Sequence, residues 1–123
     1  MIHLDANFLI AALQTGSVQE AQVNQWLGAK EALGMSAIAW GEFRCGPLSK
    51  LDDDISKQMF PTIEGLSGQD AETAAGLFNQ TGRRSRSLPD CMIAAIAIRC
   101  GARLATLNRG DFQPLTNHGL TLV

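Results

Sequence analysis

Short apolar runs alternate with helix-forming segments along this whole chain, and that order leaves few folds open to it. Met1-Ile2-His3-Leu4 reads as a buried strand ending at Asp5. Asn7 is placed to cap a helix through Phe8–Leu13 that stops near Thr15-Gly16. A second helix is predicted from Ser17 to Ala29, with a loose apolar face of Val18, Ala21, Val23, Trp26 and Leu27. Leu33-Gly34-Met35-Ser36 reads as the second strand, and the helix behind it carries Glu42 until Gly46-Pro47 ends it. Asp52-Asp53-Asp54 supplies the acidic first turn of a short helix to about Met59. Thr62–Leu66 is a weak third strand, followed by a helix from Gln69 to about Thr81. Pro89 opens a helix through Ile98 that ends before Gly101. Arg103–Thr106 and Leu120–Val123 are the last strands. Strands joined through helices call for right-handed crossovers, so the expected class is α/β with a largely parallel sheet.

Composition narrows the function. A chain of 123 residues is expected to form one domain, residues 1–123, with no repeat or linker to divide it. A hydrophobic content of 46% beside 18% charged residues is that of a soluble globular protein. With a formal net charge of -2, a polyanionic partner would need a local basic patch. Cys45, Cys91 and Cys100 are odd in number and lack CxxC spacing, which argues against a disulfide framework and a thiolate zinc site. No leader pattern and no membrane-length apolar run is present, so a cytoplasmic protein without membrane contact is expected. His3 and His118 are the only imidazoles, and neither is placed to serve a Ser-His-Asp triad.

Four acids stand where strands and helices meet: Asp5, Glu42, Asp90 and Asp111. Three of them lie inside or against apolar runs, where an ionised carboxylate is costly unless a positive group compensates it. No Lys or Arg lies within four residues of Asp5, and the cation nearest Asp90 is Arg86. A hard divalent cation shared by all four is the simplest compensator, and it points to phosphoester chemistry. Each acid also has a plainer reading. Asp5 could be a turn residue and Glu42 a solvated neighbour of Arg44. Ser87-Leu88-Pro89-Asp90 has the form of a capping box, and Asp111 could be a turn aspartate in Asn108-Arg109-Gly110-Asp111-Phe112. The Asp52–Asp54 run is set aside as a solvated helix start. If the first and penultimate strands are neighbours, Asp5 and Thr106-Leu107-Asn108 meet at the carboxyl ends, where open α/β sheets bind ligands.

Taken in order, these segments resemble the PIN domain and, within it, the VapC-type toxins. Leu4-Asp5-Ala6-Asn7-Phe8-Leu9-Ile10 is similar to the family's opening Leu-Asp-Thr/Ser-Asn-x-Leu-Ile. Glu42 follows in the helix behind the second strand, then Pro89-Asp90-Cys91-Met92-Ile93-Ala94-Ala95-Ile96-Ala97. Ala105-Thr106-Leu107-Asn108-Arg109-Gly110-Asp111-Phe112 resembles the closing Thr-x-Asn-x-x-Asp-Phe. The resemblance implies a three-layer α/β/α sandwich and an acidic pocket for Mg2+ or Mn2+. It also implies endoribonuclease activity as the toxin of a type II toxin–antitoxin system, restrained by a cognate antitoxin, with a homodimer as the expected assembly. Asp5, Glu42 and Asp90 would be the principal acids and Asp111 the fourth, with Asn7, Thr106 and Asn108 in support. Ala6 departs from the family pattern, which has a hydroxyl residue there.

A negative pocket needs separate cations to hold an RNA backbone. Arg83, Arg84 and Arg86 are the first candidates and Arg109 the next, against the plainer reading of a solvated loop. Aromatic stacking has little support at 6% aromatics and no Tyr. A receiver-like phosphotransfer domain would want a late lysine, and no Lys follows Arg86. The remaining alternative is a catalytically silent PIN-like module that binds RNA or a protein.

Overall fold

The computed structural model describes residues 1–123. Strands β1 (Ile2–Leu4), β2 (Leu33–Ser36), β3 (Ile63–Glu64), β4 (Arg103–Ala105) and β5 (Thr121–Leu122) form one sheet in the order β3-β2-β1-β4-β5. Every neighbouring pair is parallel. The helices are α1 (Ala6–Ala12), α2 (Val18–Gly28), α3 (Ala37–Arg44), α4 (Lys50–Met59), α5 (Gly68–Gln80), α6 (Leu88–Arg99) and α7 (Arg109–Phe112). A 3-10 helix, Gln113–His118, continues from α7.

From β1 the chain steps outward to β2 and β3, then returns to β4 and β5 on the other side of β1. Right-handed crossovers therefore set α1–α4 on one face and α5–α7 on the other, giving the α/β/α layering. The direction reverses between β1 and β4, so a crevice opens at the carboxyl ends of those two strands. Leu4 is paired with Ala105, and the Asp5 N–H donates to the Ala105 carbonyl at 2.9 Å. Asp5 and Thr106 are thus adjacent at that crevice.

The core explains why the sheet holds this order. Ile2, Leu4, Met35 and Leu104 are fully buried, as is the Ile93–Ala97 stretch of α6, which is apolar all round. The small, buried Ala94, Ala95 and Ala97 side chains suit the close packing of α6, whose main helical neighbour is α5. Gly34 has an equally tight neighbour, since a Cβ there would come within 2.7 Å of the His3 ring. No helix is long and apolar enough to cross a membrane.

Element order agrees with the sequence, and strand ends are shorter by one or two residues, as expected of frayed termini. Three local readings change. Asp5 rather than Asn7 caps α1, its carboxylate accepting the Ala6 N–H at 2.9 Å. Ser87 does not cap α6; its hydroxyl donates to the Arg84 carbonyl at 2.8 Å. A capping box exists instead at Ser67 and Asp70, at the head of α5. The α7 and 3-10 turns, to which the sequence assigns no element, form the link between β4 and β5.

Candidate active site

Asp5 is the most deeply buried of the four acids, at 4% exposure. β1 delivers it to the sheet edge and α1 begins on its carboxylate. One oxygen accepts the Ala6 N–H and the other accepts the Thr106 hydroxyl at 2.7 Å. The Thr106 oxygen in turn accepts the Asn108 N–H at 3.0 Å. Asn7 Oδ1 accepts the Leu107 N–H at 3.1 Å, so both polar residues opening α1 are tied to the chain leaving β4. These bonds fix the Asp5 carboxylate rather than neutralise it. Burial pushes its pKa up, opposed by the Thr106 and Ala6 hydrogen bonds.

Asp5, Asn7, Glu42, Asp90 and Asn108 line one depression of about 220 Å3, together with Ala6 and Ile10. Glu42 enters it from α3 and Asp90 from the first turn of α6. Because Ser87 and Asp90 form no box, the Asp90 carboxylate is free to face the depression. Its pKa is pushed up to about 6, first by burial, then by the charges of Asp5 and Asp111, with Arg84 opposing. Glu42, exposed as a residue on α3, is raised by partial burial of its carboxyl first, then by Asp5 and Asp90. Carboxylates that raise one another's pKa values share a small volume.

Asp111 is exposed on α7 and does not line the depression, though its charge reaches Asp90. Thr106 also lies outside the lining and acts through its bond to Asp5. The arginines separate into different roles. Arg84 donates to the Asp111 carbonyl at 2.9 Å and so joins the segment before α6 to α7. Arg109 donates to the Val123 carbonyl at 2.7 Å. Arg83 lies over the Phe78 ring and bonds the Asn79 side chain. Arg86 is exposed. Arg84 stands out in the structure because it is half-buried with no apolar signal around it to announce that; only its distance from Asp111 in sequence hid the contact.

No three acidic, histidine or cysteine side chains are grouped tightly enough to enclose a metal ion as they stand. The donor set nonetheless fits a hard cation. Its carboxylate- and amide-bearing residues line one depression, and Mg2+ retains several waters while binding through one or two carboxylates. A soft-metal reading has no donors here, since neither histidine and none of the cysteines lines it.

A family model described as PIN domain matches residues 2–114. Among solved structures, VapBC2 from Rickettsia felis bound to a promoter DNA fragment superposes with a TM-score of 0.76 at 20% identity, covering 100% of this chain and 98% of that one. A toxin–antitoxin complex from Klebsiella pneumoniae gives 0.68 at 25% identity, covering 91% and 90%. VapC20 of Mycobacterium tuberculosis, described as a toxin that cleaves the sarcin-ricin loop, gives 0.68 at 16% identity, covering 100% and 98%. No curated protein sequence matches the chain.

Proposed function

Because the chain belongs to the PIN domain family, matched over residues 2–114, we propose that it is a Mg2+- or Mn2+-dependent endoribonuclease acting as the toxin of a type II toxin–antitoxin pair. The observation that carries this reading is the convergence of Asp5, Glu42 and Asp90 on one depression at the sheet's switch point. A cation bound there would shield the phosphate charge, help ionise an attacking water and steady the leaving oxygen.

The chain's own groups do the rest. Asp5, Asp90 and Glu42 would hold the ion directly or through water, with Asp111 contributing from the rim beside Asp90. Thr106 and the start of α1 keep Asp5 in one rotamer, so the ligand is oriented before the ion arrives. Asn7 and Asn108 border the depression and can position water or a phosphate oxygen. Asn7 also fixes the Leu107 backbone, which keeps the β4 exit against α1. For the RNA backbone, Arg86 is free, whereas Arg83, Arg84 and Arg109 each already serve an internal contact. Any phosphate contact by those three uses their remaining N–H groups, except the Arg84 Nε, which is buried.

An antitoxin is the proposed protein partner and a homodimer the proposed assembly; the relatives' complexes support the former. So does a run of surface from α2 and α4 to the acids. A cavity of about 270 Å3 between α1, α2 and α4 shares Leu13 and Asp52 with a second beside Phe43, which shares Ile10 with the acidic depression. Cleavage of single-stranded RNA by the purified chain, present in Mg2+ and absent in chelator, tests the enzymatic reading. Metal-independent RNA binding without cleavage would leave the silent module in its place.

A further inference from the structure

A separate pocket of about 160 Å3, lined in part by Thr106, shares no lining residue with the acidic depression. Phe8, Ala105 and Leu107 give it apolar walls. Gln19 and Gln22 from α2, with Arg109 from α7, give it polar ones. The two glutamines are three residues apart on one helix and so point the same way. Both are half-buried, and neither amide is bonded within the chain. Leu107 is 48% exposed, and nothing else in the chain covers it. Arg109 has one guanidinium nitrogen bound to the Val123 carbonyl and the others free.

The pocket and the acids share a wall. Thr106 lines the pocket and bonds Asp5 at 2.7 Å, and Leu107 lines it while its N–H is held by Asn7. A chain of nucleotides with a phosphate at the acids therefore has its next base within reach of this pocket. Single-stranded RNA is read by unstacked bases placed against flat or apolar walls and hydrogen-bonded along their edges. A side-chain amide offers a donor and an acceptor together, which is what a base edge requires. The space also suits one ring system rather than a helix or an extended peptide.

We propose that this pocket takes one unstacked RNA base next to the scissile phosphate, and that Gln19 and Gln22 select it. The cleavage half rests on the endoribonuclease reading, whereas base binding does not. Two measurements keep the two apart. Each of the four ribonucleosides, which carry a base without phosphate, is titrated into isotope-labelled protein in chelator. Saturable shifts of the Gln19 and Gln22 side-chain amide resonances with at least one nucleoside are expected, whether or not the protein cuts RNA. No saturable shift with any nucleoside overturns the proposal, even for an active enzyme.

The second measurement compares Gln19→Ala/Gln22→Ala with the parent on an RNA pool randomised around the cut. The preference at a single position should fall roughly ten-fold, with other positions unchanged. An unchanged preference, or an equal loss at every sequence, overturns the proposal. So does a variant that keeps its preference but loses restraint by the antitoxin, because the pocket is then a protein contact.

Discussion

Asp5 and Asp90 both resist ionisation in the folded chain, but they are held in different ways. Asp5 is pinned by the Ala6 N–H and the Thr106 hydroxyl, while Asp90 faces its neighbours' charges without a hydrogen bond to calm it. For Asp90 the folded pKa of about 6 lies above the ordinary 3.8. The stability this contributes is full below about 4 and is lost as pH rises through about 6. At about 1.36 kcal/mol per pH unit the loss would reach ~3 kcal/mol, and screening of a half-buried group brings it to ~2. In chelator, Asp90→Asn should therefore melt above the parent at pH 7, with the gap closing toward pH 4. A constant gap across that range would mean that Asp90 is not strained by its neighbours. Asp5→Asn probes the other acid. Asparagine caps helices well and keeps an acceptor for the Ala6 N–H, while the charge that burial disfavours is gone. Its melting temperature in chelator should match or exceed the parent's, and Mg2+-dependent cleavage should vanish. Retained cleavage would remove Asp5 from the proposed ligand set.

The elements were legible in the sequence to the extent that each carried its own signal. β1, β2 and the middle of α6 are largely apolar, and the alternation of strands and helices predicts a largely parallel sheet; that Asp5 lies beside Thr106 depends on β1 and β4 being neighbours, which their pairing shows. The β3 and β5 strands, at two residues each, are shorter than the sequence predicts, since Leu66 beyond β3 and Leu120 and Val123 around β5 extend the apolar pattern past the ladder. Ser87 and Ser67 both precede an Asp by three residues, but Ser87 turns its hydroxyl to the Arg84 carbonyl whereas Ser67 caps α5. Only tertiary packing decides that. It also decides Asp70, which is 2% exposed and held by both the Ser67 box and Arg99 at 3.0 Å. Burial works against its charge, yet these bonds keep its pKa below the usual carboxylate range. Asp70→Ala should cost about 2 kcal/mol, because it removes the acceptor of the Ser67 N–H and the main acid of Arg99, while the Ser67 hydroxyl still caps α5 and Arg99 keeps Glu64 and the Gly65 carbonyl. A change in melting no larger than that of a surface substitution would reduce this network to decoration. The three arginines proposed together as phosphate contacts have different surroundings. Left-handed backbone at Arg83 and Arg86, with φ of 53° and 68°, turns Arg84 inward to Asp111 and leaves Arg86 outward. Arg86→Ala should therefore flatten the salt dependence of single-strand binding by ~0.7 log units, the effect of one lost phosphate contact. An unchanged slope would assign Arg86 to the solvated loop.

At the scale of the whole molecule, the acids occupy one end of a longer surface whose other end is apolar. Leu51 and Val18 are 68% and 70% exposed, and Leu27 is 51% exposed near the cavity between α1, α2 and α4. Solvated leucines at the mouth of a cavity are a standing cost to a protein that meets only water, and they favour a partner's apolar side chains. The acidic end favours a cation from the same partner, since burying carboxylates under a neutral segment would leave them uncompensated. One segment satisfying both ends would need apolar residues along α2 and α4 and an Arg or Lys reaching Asp5 and Glu42. Such a segment would block the proposed active site while stabilising the metal-free state. Leu51→Asp tests this connection far from the chemistry. Leu51 is exposed, so the variant should melt within a degree or so of the parent and cut RNA at the same rate. The added charge would have to be buried on binding, so inhibition by the proposed antitoxin should weaken at least ten-fold. Native mass spectrometry should show less of the complex. Full inhibition and an intact complex in the variant would place the antitoxin elsewhere, and the exposed leucines would need another partner.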